Sequence, residues 1–141
     1  MRVVKSSRLR RAGRRGATLV EFAFVAPVFF LLVMGMIEFG RAMMVAALLA
    51  NAAQQGARAG SLNGAQSTDV TNVVNAYLTD AKLSGATTTV TPNPPSSASP
   101  GQDVTVTVSI GYSQITWLPA PKFLSGKTLS ATSIMQRETG Q

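Results

Sequence analysis

The hydrophobic positions of this chain fall into three regimes. From Phe22 to Ile37 runs an unbroken apolar stretch, FAFVAPVFFLLVMGMI. Extended back to Ala17 it takes in one charge, Glu21, and reaches the roughly 20 residues that a helix needs to cross a ~30 Å bilayer core. Pro27 removes one helical hydrogen bond, which predicts a kink there. The helical pattern continues past Glu38 and Arg41, read as markers of the membrane interface, through AMMVAALLANAAQQGARA. Helix formers dominate this stretch, and the first breakers are Gly56 and Gly60. A helix over 17–59 would be roughly 65 Å long at 1.5 Å per residue, with about half of it beyond the bilayer. Ala42, Ala46, Ala50, Ala53 and Ala57 recur at spacings of three and four, a small-residue stripe suited to close packing against a neighbouring helix. Gly56 and Gly60 lie beyond the apolar span and are read as a loosening helix end rather than a packing motif.

The second regime follows a loop at 60–65. Ser67 or Thr68 is the expected cap of a helix with Asp69 in its first turn, and Val70, Val73, Val74, Tyr77 and Leu78 mark its buried face. Lys82 sits near its end and Gly85 terminates it.

The third regime is β. Residues 86–91 (ATTTVT) form a short strand, and the proline-rich 92–101 is a loop. Over 103–115, Val104, Val106, Val108, Ile110 and Tyr112 alternate with Thr105, Thr107, Ser109 and Ser113, the period of a half-buried strand. A loop from Trp117 to Gly126 leads to a last, less regular strand at 127–137, with Trp117 expected to anchor that loop on the sheet. The fold class is therefore α+β: a long N-terminal transmembrane helix, a second amphipathic helix, and an antiparallel sheet of about three strands. The domains read as a basic leader at 1–16, a membrane and projecting helix at 17–60, and an extracytoplasmic domain at 61–141. Residues 61–141 hold too little core to stand alone, so packing on the projecting helix is expected.

Charge sharpens this. Of 13 Lys and Arg residues, all that are not balanced by acids precede Gly16: Arg2, Lys5, Arg8, Arg10, Arg11, Arg14 and Arg15. A topology signal or leader concentrates charge in this way, placing the N-terminus in the cytoplasm and the C-terminal domain outside the cytoplasmic membrane. A nucleic-acid reading lacks interleaved aromatics and is displaced by the membrane helix that follows at once. With no cysteine and no histidine, disulfides are excluded and the usual ligands of zinc, copper and haem are missing. The six acidic residues are scattered, and no base is arranged to activate the many Ser and Thr hydroxyls. Neither catalysis, a cofactor nor a small-molecule substrate is expected.

An ordinary secretory signal would have to run to Ala50-Asn51-Ala52, past Glu38 and Arg41, whereas such signals span about 15–30 residues. The junction Arg14-Arg15-Gly16-Ala17-Thr18-Leu19-Val20-Glu21-Phe22 has another form. A basic leader, a glycine, then a glutamate and an aromatic five and six residues later resemble the class III signal of pilins, above all its tight adherence (Tad/Flp) branch. The stretch RRGATLVEFAFVAPVFFLLVMGMIEFGRA and the later AAQQGARAG resemble the TadE-like family of minor pseudopilins. That resemblance implies cleavage between Gly16 and Ala17 by a prepilin peptidase and recognition through Glu21 and Phe22. It also implies assembly with other pilins or pseudopilins on a pilus platform. The C-terminal domain matches only in outline.

Elementary electrostatics points the same way. A carboxylate in an apolar span costs about 2.5–3.5 kcal/mol on insertion scales, so Glu21 needs a partner. Cleavage after Gly16 would create an amine on Ala17, one turn away on the same chain or on an adjacent subunit. The plainer readings are that Gly16 only interrupts a basic coil and that Glu21 is an acid at the headgroups. Two further functions have the same pattern: an uncleaved membrane-anchored scaffold, and a small domain secreted after release near Ala52.

Overall fold

The structure, a computed structural model, describes the backbone of residues 10–116 and 126–139, and side chains from Gly16 onward. Trp117 and the basic side chains before Gly16 lie outside the described residues. Two helices and three strands follow one another: α1 (Arg10–Ser61), α2 (Ser67–Asp80), β1 (Thr87–Thr91), β2 (Asp103–Gly111) and β3 (Thr128–Gln136). The class is α+β, as the periodicities predict.

The chain divides into two compact units, Met1–Phe39 and Gly40–Gln141. In the first, the described part of α1 already includes Arg10, inside the basic segment and ahead of the expected start at Ala17; arginine and alanine are good helix formers, and the helix carries Gly13 and Gly16 within it. Pro27 sits inside the helix. Leu19, Phe22, Phe24, Phe29, Phe30, Leu31 and Leu32 are all exposed, which is the surface of a segment whose solvent is not water. The helix is the one element among the described residues long and apolar enough to cross a membrane, with none of its most apolar window buried.

In the second unit the sheet has the order β1-β2-β3, both pairs antiparallel. Val104, Val106, Val108 and Ile110 of β2 point into the core and are essentially inaccessible. The strand ends at Gly111, earlier than the alternation suggests: Tyr112 opens a short 3-10 turn and is buried from there. The opposite face carries rows of hydroxyls, among them Thr89, Thr107 and Thr132 in register, with Thr107 Oγ1 and Thr132 Oγ1 2.9 Å apart.

The core is closed by α2 and by the C-terminal half of α1. Val70, Val74 and Leu78 of α2 are buried; Val73 is exposed and Tyr77 only half-buried, so the buried face is narrower than its apolar pattern. The cap of α2 is Gln66, not Ser67 or Thr68: the Gln66 N–H donates to Asp69 Oδ2 at 2.9 Å, while the Ser67 hydroxyl is engaged by Asn93 Oδ1. Its other end is a Schellman-type turn, with Leu83 N–H donating to Leu78 C=O at 2.8 Å and Lys82 N–H to Thr79 C=O at 2.9 Å. Lys82 takes the left-handed conformation there (φ 58°) before Gly85 is reached, which is why the helix stops sooner than its glycine predicts.

From α1 the core receives Val45, Leu49, Ala52, Ala53 and Ala57. Contacts along the helix fix its direction. Arg41 Nε donates to the Ile115 carbonyl, just past the end of β2, whereas Gly56 faces Val106 and Gly60 faces Val104. The residues 40–61 of α1 therefore run antiparallel to β2 and in the same sense as β1 and β3.

Candidate functional site

Sequence reasoning places the functional residues on α1, in two groups. The first is the stretch from Gly16 to Pro27. Gly16 is helical and exposed, and a side-chain carbon built on it would meet nothing within 4 Å. Neither packing nor backbone geometry here calls for glycine, and the reading of Gly16 as a coil breaker does not fit a residue inside a helix. Ala17, Glu21 and Phe22 are exposed on the same helix, and Pro27 is exposed within it. Glu21 is thus a carboxylate set in an apolar, outward-facing surface, where an ionised group is costly unless a partner meets it.

The second group is the alanine stripe, which the structure divides. Ala53 and Ala57 are fully buried in the core of their own chain and Ala42 packs partly against it, whereas Ala46 and Ala50 are exposed beside Met43 and Met44. The intramolecular contact of α1 also uses a neighbouring line: Val45, Leu49, Ala52, Gly56 and Gly60. A carbon at Gly56 would lie 2.7 Å from Val74 Cγ2 and 3.1 Å from Val106 Cγ1; one at Gly60 would lie 3.1 Å from Val104 Cγ1. The pair is therefore a close-packing device and not a loosening helix end, a correction the four-residue spacing itself could have supplied.

Glu38 and Arg41, read as markers of the membrane interface, are also engaged within the chain. Glu38 is buried, and Arg41 is half-buried with its guanidinium on the Ile115 carbonyl. A second arginine, which the sequence did not single out, organises the far end of the domain. Arg137 donates to the Ser96 carbonyl (3.0 Å), the Ala98 carbonyl and Asn63 Oδ1 (2.9 Å), joining the end of β3 to the proline-rich loop and to the α1–α2 connection. Its signal was only its position, one residue after the last strand.

Among the described residues no three of His, Cys, Asp and Glu come together as metal ligands. An open cleft of about 420 Å³ is lined by Asn51, Gln54, Gln55, Arg58 and Tyr77. Its carboxamides, guanidinium and phenol supply hydrogen bonds but no nucleophile with an adjacent base.

What remains is a helix whose outward residues carry the chemistry, and residues 16–58 match the family model described as TadE-like protein. Over these residues the helix is similar to that family. The match begins at Gly16 and ends at Arg58, so it takes in the whole apolar span, Glu21, and the part of the helix that builds the core. It implies a function related to the Tad pilus, and the apolar helix supports single-pass membrane anchoring. No curated protein and no solved structure matches the chain.

Proposed function

We propose that this chain is a minor pseudopilin of a Tad-type pilus or a related secretion machine, acting by helix packing and subunit priming and not by catalysis. The observation that carries the reading is Glu21, exposed in the apolar surface of the segment similar to the TadE-like family, five residues after a glycine with no structural reason to be one. A prepilin peptidase would cut between Gly16 and Ala17, with Glu21 and Phe22 forming the rest of its recognition sequence. The new amine on Ala17, on this subunit or a neighbour, would then neutralise Glu21. Removing the seven cytoplasmic charges before Gly16 would let the helix leave the bilayer without carrying an arginine-rich tail across it. The chain would sit in the cytoplasmic membrane with its N-terminus inside and the Gly40–Gln141 unit outside, and its partners would be other pilins or pseudopilins and the assembly platform.

The alternative of release near Ala52 is opposed by packing, since that cut falls within α1 at a residue that is fully buried, and it would strip Val45 and Leu49 from the core. An uncleaved membrane scaffold keeps every contact described and differs only at Gly16. The deciding experiment is intact mass and N-terminal sequencing of the membrane-extracted protein, expressed with and without a prepilin peptidase. A peptidase-dependent N-terminus at Ala17, abolished by Gly16→Leu, is the expected result. A chain still starting at Met1 in both cells would make it the scaffold.

A further inference from the structure

Three arginines have described side chains, and two of them are used within the chain. Arg41 donates to the Ile115 carbonyl, and Arg137 to the Ser96 and Ala98 carbonyls and to Asn63 Oδ1. The third, Arg58, is exposed, and among the described residues its guanidinium makes no hydrogen bond and no ion pair. It lines the open cleft of about 420 Å³ between α1 and α2, within the Gly40–Gln141 unit, together with Asn51, Gln54 and Gln55 of α1 and Tyr77 of α2. The polar side-chain atoms of those four are likewise without a hydrogen-bond partner among the described residues. The lining carries one formal charge, the guanidinium, and no acid.

We propose that this cleft binds a carboxylate carried on an extended segment of a partner polypeptide. An exposed arginine with nothing to hold is free to form the bidentate pair that its planar fork makes with a carboxylate. The three carboxamides each donate and accept, so they match the N–H and C=O groups of a peptide backbone. Asn51 and Arg58 lie two turns apart on α1, ~10 Å of helix, the length of about three residues of extended chain. Tyr77 is half-buried against the core and forms a fixed wall. Arginine and tyrosine are also the residue types that carry much of the energy at protein interfaces. A solvated helix face presents amides and arginines as well, but it is convex and mixes both signs of charge. Here the surface is concave and its single charge is positive. The volume falls among ligand sites, about 300–1,000 Å³, while the polar lining disfavours an apolar occupant. A sugar acid would bring the same carboxylate without the backbone that the carboxamides suit. The inference goes beyond the Tad-related reading and rests on neither membrane insertion nor cleavage at Gly16.

The test uses the full chain in detergent and two end-blocked peptides carrying a neutral fluorophore, one of alternating Glu and Ser, the other of alternating Gln and Ser. Fluorescence anisotropy should show saturable binding of the first and about tenfold weaker binding of the second, the loss of a charged hydrogen-bond partner. Arg58→Gln should weaken the Glu-containing peptide by the same factor, and Tyr77→Phe by about threefold. Lys127→Gln removes an equal charge just before β3, outside the cleft, and should leave binding unchanged. Arg58 and Lys127 are both exposed, so neither variant should lower the unfolding temperature. No saturable binding, equal binding of the two peptides, or equal losses in Arg58→Gln and Lys127→Gln would overturn the proposal. Arg58-dependent binding of oligogalacturonate more tightly than the peptide would overturn it as well, in favour of a sugar acid. Gly16→Leu should bind as the parent does, which separates this result from processing.

Discussion

A side-chain carbon at Gly56 would stand 2.7 Å from Val74 Cγ2, so α1 and α2 meet as closely as glycine allows. Gly56→Leu would force at least four atoms into space held by Val70, Val74 and Val106. Overpacking of this kind costs about 1–3 kcal/mol. Thermal unfolding of the detergent-solubilised protein should show a Tm lowered by several degrees. Gly16→Leu, with open space around it, should leave Tm unchanged.

Leu49 is fully buried, and it lies on α1 rather than within residues 61–141. Leu49→Ala should destabilise the Gly40–Gln141 unit by about 2–5 kcal/mol, the range for emptying a core position. A chain beginning at Ala53 lacks Val45, Leu49 and Ala52 altogether. It should be degraded rapidly by a protease that spares the intact unit.

Arg137 satisfies two carbonyls of the proline-rich loop and one carboxamide of the α1–α2 connection. Arg137→Met keeps much of the stem but leaves those acceptors without their donor, at a cost of about 1–3 kcal/mol. Arg137→Lys should not restore stability, because a single ammonium does not reproduce the spread of the guanidinium fork. Chemical denaturation of the two variants should give nearly equal midpoints, both below that of the parent.

Glu21→Val removes a charge whose burial in an apolar span costs about 2.5–3.5 kcal/mol on insertion scales. Membrane insertion should therefore be undiminished. If the carboxylate serves subunit recruitment, the variant should be lost from high-mass assemblies isolated with the other pilus components. Quantitative immunoblotting of the membrane and assembly fractions separates the two effects. Equal recruitment of parent and variant would show Glu21 to be only an acid at the headgroups.

The sequence by itself determined what depends on period and composition. An uninterrupted apolar run from Phe22 to Ile37 can only be accommodated out of water, and alternation from Val104 to Ile110 defines one buried strand face. The conjunction of Gly16, Glu21 and Phe22 was legible too, because these residues lie within seven positions of one another along the chain. Tertiary structure decided what depends on neighbours distant in sequence. Gly56 and Gly60 look like breakers until Val74, Val106 and Val104 are set against them, at which point the missing side chains become the condition for contact. Ala53 and Ala57 belong to the stripe by spacing but to the core by contact, since α2 and the sheet cover only one side of α1. That Arg41 also holds the Ile115 carbonyl is decided only by the turn after β2, which brings that carbonyl to its guanidinium. Helical and strand periods specify which faces are apolar; which of those faces meet, and at what distance, is fixed only when the elements pack.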